Sequence, residues 1–467
     1  MLETQAAFPC SEKGESMKKL DRLTVMSNEQ PKLIDPPTVL IGNTVRDSPP
    51  PKEQTEGIKL DGDSGSFWLT EEILSRGLLN IGSTGSGKTN LIYTISSAIL
   101  RRLRNDEIVV FFDYKGDYFN AFFDKNNPNH IVISTQDKHK PYSRSWNLFG
   151  ELFGRETIDF SDDNVSGAAL EIAGALFKSM ESQQQPFFHM AAGDICKMIM
   201  LFFLAEAQRT SDYSRLNNES LIDFCDNAAT KDLYAIADKL GFGYIRSYLG
   251  NPSSPTPQSL GVEGFFHAMC ASQFVGSFRR RSPNGDFSMR RLVREKGAKV
   301  VFLEFDIARG KTLSPIYSLL FDLAIKEQLY VGEGNLYLIA DELYTLPYAE
   351  RLGDACNAGR SRGLKMIAGI QSIDMLYDNY GEAKGKSIAA GFVNVIAFKA
   401  VDYTTRAWFS ERIGKTFEAV TFGGRDFTHE GFTVSDADIH NLQVGEAFCD
   451  IFGLPPFRIR FKEYGKE

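Results

Sequence analysis

Eight consecutive residues carry the most explicit chemistry in the chain: Gly82, Ser83, Thr84, Gly85, Ser86, Gly87, Lys88 and Thr89. Gly82, four residues, then Gly-Lys-Thr is the P-loop spacing. Its glycines permit a tight loop whose backbone N–H groups converge on phosphate oxygens. A helix opening near Lys88 adds the positive end of its dipole to the same place. The pattern assigns Lys88 to the β- and γ-phosphates of a nucleoside triphosphate and the Thr89 hydroxyl to Mg²⁺, with Asn90 completing the lining. A Gly-rich turn without a ligand is the bland alternative. The apolar strand before the loop and the helical spacing of Leu91, Ile95 and Ile99 after it argue against that.

A second constellation lies far downstream in "LYLIADE", Leu336 to Glu342. An apolar strand ending in two acids delivers both to the carboxyl edge of a sheet. Asp341 is the candidate for the Mg²⁺ shell, and Glu342 for the group that orients or deprotonates a water. The second acid favours hydrolysis over transfer to a bulky acceptor. Asp113 ends another strand, "IVVFFD", where it faces water or nearby loops, or caps the following turn.

The elements that position these residues follow from periodicity. Short apolar runs at "GLLNIG", "IVVFFD", "HIVIS", "KVVFLEFD", "LYLIADE", "LKMIAGIQS" and "NVIAFKA" read as strands, most of them separated by helical patterns such as Ile316 to Leu329. Near-continuous apolar strands alternating with helices predict a mostly parallel α/β sheet covered on both faces, a RecA-like P-loop fold. Residues 160–295 break the rhythm. They hold helical segments and no convincing strand, and read as an inserted all-α domain between 58–159 and 296–467. Residues 1–57 contain seven of the 18 prolines and read as a largely flexible arm. Met17 and Met26, like Met1, are possible starts.

Composition excludes several classes. The 467 residues are 43% hydrophobic and 24% charged, as in ordinary globular chains. A net charge of -8 gives no global attraction to nucleic acid, so any such contact must be local. Six scattered cysteines show no metal spacing and read as reduced thiols, which places the expectation in the cytoplasm. The six histidines form no metal spacing either. No signal pattern opens the chain, and the longest apolar run, Met198 to Ala205, falls short of the roughly 18 residues a membrane span needs.

An ordered series, "ADELYTLPY", "NAGRSRG", "GIQS" and "NYG" between Ala340 and Gly381, narrows the reading. With "FFDYKGDYF", "SWNLFGEL" and the closing "GEAFCDIFGLPPFRIRF", it resembles the type IV coupling proteins, ring-forming DNA-translocating ATPases of conjugation and type IV secretion. The likeness runs over roughly residues 58–462. It implies ATP and Mg²⁺ as ligands, a hexameric ring, DNA as substrate, and relaxase or secretion-apparatus proteins as partners. It also implies two further roles. Arg360 matches the arginine finger that reaches a neighbouring subunit's ATP, with Arg362 ranked second, and Gln371 matches a polar strand-end residue that senses the γ-phosphate or water. Family members usually carry N-terminal transmembrane helices, and no spanning segment is legible in this sequence. Recruitment to the inner membrane by a partner is one expectation; a relative with another use of the motor is the other.

The stretch Phe278 to Gly297 concentrates Arg279, Arg280, Arg281, Arg290, Arg291, Arg294 and Lys296 against Asp286 and Glu295. It reads as a DNA-backbone contact, a solvated face or a surface for acidic neighbours. "RRLR", Arg101 to Arg104, ends the helix after the P-loop and complements its dipole. A different class stays open beside the motor: a nucleotide switch or scaffold in a mobile-element or phage-defence complex, without translocation.

Overall fold

The computed structural model describes residues 39–42, 45–50, 56–153, 164–178, 186–346, 349–422 and 425–465. Its centre is a nine-stranded sheet. We number the strands β1 (Leu78–Ile81), β2 (Glu107–Asp113), β3 (His130–Ile133), β4 (Lys299–Glu304), β5 (Asn335–Ala340), β6 (Leu364–Ile370), β7 (Asn394–Phe398), β8 (Glu446–Asp450) and β9 (Phe457–Arg460). The spatial order is β9-β8-β7-β1-β6-β5-β2-β4-β3. From β7 to β3 all neighbours are parallel, whereas β7–β8 and β8–β9 are antiparallel. The seven runs read as strands are the seven parallel ones. The antiparallel pair at the chain end was not legible as strands.

Alternation along each strand builds two cores. Val109 and Phe111 of β2 pack on one face with Leu91, Ile95 and Ile99 of the helix Lys88–Leu100. Ile108, Val110 and Phe112 feed the other face, which includes Ile316, Leu320 and Leu323 of the helix Gly310–Val331. Parallel pairing brings the carboxyl ends of β1, β6, β5 and β2 to one edge. The P-loop, Gln371, the acidic pair and the turn after Asp113 therefore arrive side by side, although they come from distant parts of the chain.

The helical insert comprises Asn164–Leu176, Pro186–Thr210, Asn218–Asn227, Thr230–Leu240, Ile245–Leu249 and Pro257–Gln273. Its neck is a parallel pairing of Ser145–Trp146 with Asp286–Phe287, a two-residue strand inside the stretch read as strand-free. Glu151 locks this joint. Its buried carboxylate accepts from Trp146 Nε1 (3.0 Å), Met289 N (2.7 Å) and Arg290 N (2.9 Å). The insert shares its apolar core with the sheet face that carries Ile108, Val110 and Phe112, so it is packed onto the α/β domain rather than strung from it.

Two sequence expectations need correction. Helix Pro186–Thr210, 25 residues, is long and apolar enough by composition to cross a membrane, because its mean hydropathy stays high although Asp194 and Lys197 interrupt the apolar run. Here Ile195, Met198, Ile199 and Phe203 are buried in the insert, so the helix serves as its core. The proline-rich start is also not wholly an arm. Val39–Gly42 pairs antiparallel with Lys415–Phe422, which in turn pairs with Arg425–Phe432, and Arg46 bridges Phe457. "VLIG" carries the β-branched apolar residues that suit an added strand. Residues 1–38 lie outside the described residues.

Candidate active site

The P-loop joins β1 to the helix Lys88–Leu100, whose N-cap is Gly87 at φ 114°. That left-handed conformation favours glycine. The loop is tied down from both sides: Gly82 N donates to Ile370 O (3.2 Å) and Ser83 N to Lys399 O (2.8 Å). Ser83 Oγ accepts from Val401 N (3.0 Å), and Ser86 O from Gly445 N (2.9 Å). Lys88 is buried, and its ammonium donates to Gly82 O (2.5 Å) and Ser83 O (3.1 Å). Burial holds its pKa below the ordinary lysine value, while Asp341 and Glu342 oppose that shift. A cation that spans loop carbonyls is poised to exchange them for phosphate oxygens. Gly85 lies on the same loop at φ 76°.

Thr89 Oγ1 donates to Asp341 Oδ2 at 2.6 Å, which joins the first turn of the helix to the end of β5. The facing residue on β6 is Gly369. A Cβ there would stand 2.4 Å from Asp341 O and Oδ1, so only glycine leaves room for the carboxylate. Asp341 is buried, which raises its pKa, and its Oδ1 has no hydrogen-bond partner among the described residues. An orphaned buried carboxylate oxygen beside a threonine hydroxyl is a donor set that suits Mg²⁺.

Glu342 stands at the centre of a relay. Lys115 Nζ donates to its Oε1 at 2.8 Å, and Gln371 Nε2 lies 3.3 and 3.2 Å from its two oxygens. Gln371 Oε1 accepts from Thr84 Oγ1 (3.1 Å), which closes the circuit back to the P-loop. The structure thus brings together Thr84, Lys88, Thr89, Asp341, Glu342 and Gln371. Lys115 was legible only as a motif residue without a role. Its hydrogen bond to Glu342 raises its pKa and keeps it cationic. Asp113 proves to be a cap: its carboxylate accepts from the N–H groups of Gly116 (2.9 Å), Asp117 (3.0 Å) and Phe119 (2.8 Å), fixing the turn that carries Lys115.

Two expected site residues lie elsewhere. The Asn90 side chain donates to Lys462 O (3.0 Å) and accepts from Tyr464 N (2.6 Å), so it anchors the C-terminal segment instead of lining the phosphates. It sits one residue too far along the helix to face the loop. Arg360 belongs to the turn Gly359–Arg362 before β6, at the sheet edge opposite the P-loop. The seven residues of β6 at about 3.3 Å each put it roughly 20 Å away from that loop. Its guanidinium is exposed and lies 3.5 Å from Glu72. The Arg362 side chain lies against Gly332 of its own chain.

The basic stretch is mostly neutralised from within. Arg279 pairs with Asp223 and Asp226, Arg290 and Arg294 with Glu327, and Lys296 bonds Gln328. Arg280 and Arg281 remain exposed and make no ion pair among the described residues. They line a cavity of about 550 Å³ together with Lys140 and Arg309, where the insert meets the ends of β3 and β4.

Strand, Gly-rich loop, helix and an acid-tipped parallel strand beside them define a P-loop nucleotide-binding protein with a helical insertion. The chain belongs to the type IV secretion-system coupling protein family, whose DNA-binding-domain model matches residues 67–420. It is 21% identical over 425 residues to coupling protein TraD of Escherichia coli (strain K12). That match takes in 87% of this chain and 54% of TraD, so the chain spans about half the length of the curated relative. Plasmid coupling protein TrwB, solved in complex with ADP and Mg²⁺, has a similar fold: TM-score 0.69, 16% identity, 93% of this chain and 96% of that one. VirB4 of Thermoanaerobacter pseudethanolicus is more distant, at TM-score 0.51 and 11% identity over 90% of this chain and 99% of its own.

Proposed function

We propose that the protein is an ATP-hydrolysing motor that assembles as a ring, with hexamers the expected state, and draws DNA through its central channel. The observation that carries this reading is the division of the catalytic set. Lys88, Thr89, Asp341, Glu342 and Gln371 converge at one sheet edge, while Arg360 stands exposed at the other. A hydrolytic site that lacks only its arginine, on a subunit that offers one elsewhere, is completed by a second copy.

In this reading the P-loop amides and Lys88 bind the phosphates, and Thr89 and Asp341 hold Mg²⁺. The ion, when bound, neutralises charge on the β- and γ-phosphates. Glu342 orients the attacking water, Gln371 reports its position to Thr84, and Arg360 of a neighbouring copy meets the charge that develops on the transferring phosphoryl. Arg280 and Arg281, with Lys140 in the same cavity, are the charges free to meet a DNA backbone; Arg309 beside them pairs with Asp306. Relaxase or secretion-apparatus partners, and recruitment from the cytoplasm to the inner membrane by such a partner, belong to the same proposal.

ATPase rate measured without nucleic acid, with single strands and with duplex, alongside particle mass with and without ATP, tests the reading. A motor turns over faster with DNA and gains mass with ATP. The neutralised basic stretch favours the other class, a nucleotide switch or scaffold, and a rate indifferent to DNA would establish it.

A further inference from the structure

The turn after β2 delivers a second cation to the nucleotide site, on the flank away from the P-loop. Within the sheet, Phe112 of β2 pairs with Ala340 of β5, so the residues that follow each strand end run out side by side. Lys115 and Glu342 therefore meet across 227 residues of sequence. The base of Lys115 is rigid. Asp113 takes the N–H groups of Gly116, Asp117 and Phe119 onto one carboxylate, and Gly116 turns the chain at φ 78°. Its stem lies open to solvent: the Lys115 side chain is 46% exposed, against 8% for Glu342. The ammonium can leave its present partner without disturbing the backbone that bears it.

That present partner is the anomaly. Glu342 holds Lys115 on one oxygen and Gln371 across both, so its acceptor capacity is largely taken. A carboxylate meant to orient water must give up a donor. A γ-phosphate is a doubly charged acceptor and competes well with one carboxylate for a lysine. ADP ends at the phosphate that the P-loop and Lys88 already hold, and offers nothing at the Glu342 side.

We propose that Lys115 is a γ-phosphate contact that exchanges Glu342 for a terminal oxygen of ATP, and so frees Glu342 when, and only when, a triphosphate is bound. This rests on the ATPase reading above. It makes Lys115 the residue by which one subunit distinguishes ATP from ADP, and couples that distinction to readiness of the carboxylate. Gln371 stays on Glu342 throughout and carries the change to Thr84.

The test is equilibrium binding of a fluorescent non-hydrolysable ATP analogue and of fluorescent ADP to the full chain, with Mg²⁺. Wild type is compared with Lys115→Met, which keeps the stem and removes the charge, and with Lys115→Arg. Loss of one charge-assisted contact predicts a fall of about tenfold or more in affinity for the ATP analogue, with ADP within about twofold, and Lys115→Arg recovering most of the loss. Equal weakening of both nucleotides makes Lys115 a structural support of the turn and overturns the inference. So does an unchanged ratio in Lys115→Met while wild type binds both nucleotides. Wild-type protein that binds neither nucleotide overturns the ATPase reading and this one together. Circular dichroism of each variant excludes misfolding as the cause of a loss.

Discussion

The two edges of the central sheet handle charge in opposite ways. At the amino edge Glu71 and Glu107 are matched. Glu71 meets Lys365 and Asn335, and Glu107 accepts from Asn335 (2.7 Å) and Tyr337 (3.2 Å) and pairs with Arg104. The hydrogen bond from Asn335 lowers the pKa of Glu71. At the carboxyl edge the acids are crowded and buried. Asp341 keeps an orphaned oxygen, and burial raises the pKa of Asp113, Asp341 and Glu304. Paired charge holds a fold; buried charge without full compensation is tolerated where a ligand will supply the rest. Arg360 fits neither pattern, because it is an exposed cation at the matched edge whose one ion pair among the described residues is a 3.5 Å contact to Glu72. The contrast is what the proposal above uses: the crowded edge would come from one copy and Arg360 from the next.

The largest effect expected is that of Lys88→Ala. It removes the P-loop cation from the carboxyl edge, and ATP affinity should fall by about 100-fold with turnover lost. Normal hydrolysis by this variant would break the contrast at its root, because that edge would then not be the site.

Arg360→Ala comes next and probes the other edge. The variant should bind ATP normally and hydrolyse it about 10³–10⁵-fold more slowly, the range for arginine fingers. Mixing it with Lys88→Ala gives interfaces that pair an intact P-loop with an intact arginine. Activity that neither variant shows alone should return once subunit exchange is verified by labelled co-purification. Exchange without rescue would reduce Arg360 to a surface charge, and Arg362 would then be put through the same mixing. Glu342→Gln keeps shape and should slow hydrolysis about 10²–10⁴-fold, as expected for a lost general base, with ATP binding retained. Loss of binding instead would make Glu342 part of the metal shell.

How far the sequence foretells this contrast depends on the range of the interaction. The carboxyl edge was legible where a local pattern encodes it. The P-loop is eight contiguous residues, Asp341 and Glu342 follow an apolar run, and the seven parallel strands are buried apolar segments. What escaped is long-range. Nothing near Lys115 announces that Glu342 will accept from it, because only the β2–β5 pairing brings them together. The strands β8, β9 and Val39–Gly42 escaped for a related reason: they are short additions at edges, and their apolar content is set by neighbours. The basic stretch misled in the same way, since Asp223, Asp226 and Glu327 neutralise it from other helices.

A smaller effect concerns the buried acid beside the site. Glu304 is fully buried next to Asp113, and burial, reinforced by that neighbour, pushes its pKa up to about 10. In the unfolded chain it titrates near 4.5. Between these values the folded state holds a proton that the unfolded state has released. The contribution is therefore fully present below the unfolded value and is lost as pH rises toward the folded one. Glu304→Gln replaces the neutral acid with an amide that does not titrate. Denaturant unfolding at pH 6 and pH 9 should show wild type losing more stability than the variant, with the gap widening by at most about 1.4 kcal/mol per pH unit. Equal losses would mean that Glu304 is ionised in the fold and that the carboxyl edge is less frustrated than its burial indicates.

The smallest effect is expected from Glu72→Gln, and it asks most directly what Arg360 is for. Glu72 is 61% exposed and Arg360 52%, and their contact is 3.5 Å long. Glu72 also holds Arg76 at 2.9 Å, whose guanidinium lies over the Phe452 ring. Exposed pairs of this kind contribute about 0–1 kcal/mol, so stability should change by less than about 1 kcal/mol, and less again in high salt. Arg76 keeps its place through the aromatic contact. Arg360 loses its one ion pair among the described residues and is left free to turn outward. If it serves a neighbouring copy, Glu72→Gln should leave ATPase activity of the assembled form unchanged or modestly raised, while Arg360→Ala nearly abolishes it. The two halves of one ion pair would then have unequal effects on activity and near-equal effects on stability, as measured by denaturant melts and initial rates on the same preparations. If the pair is only structural, both variants should move stability alike and leave the rate alone. A fall in rate for Glu72→Gln matching that of Arg360→Ala would point to a third arrangement, in which Glu72 positions the arginine for the next subunit instead of restraining it.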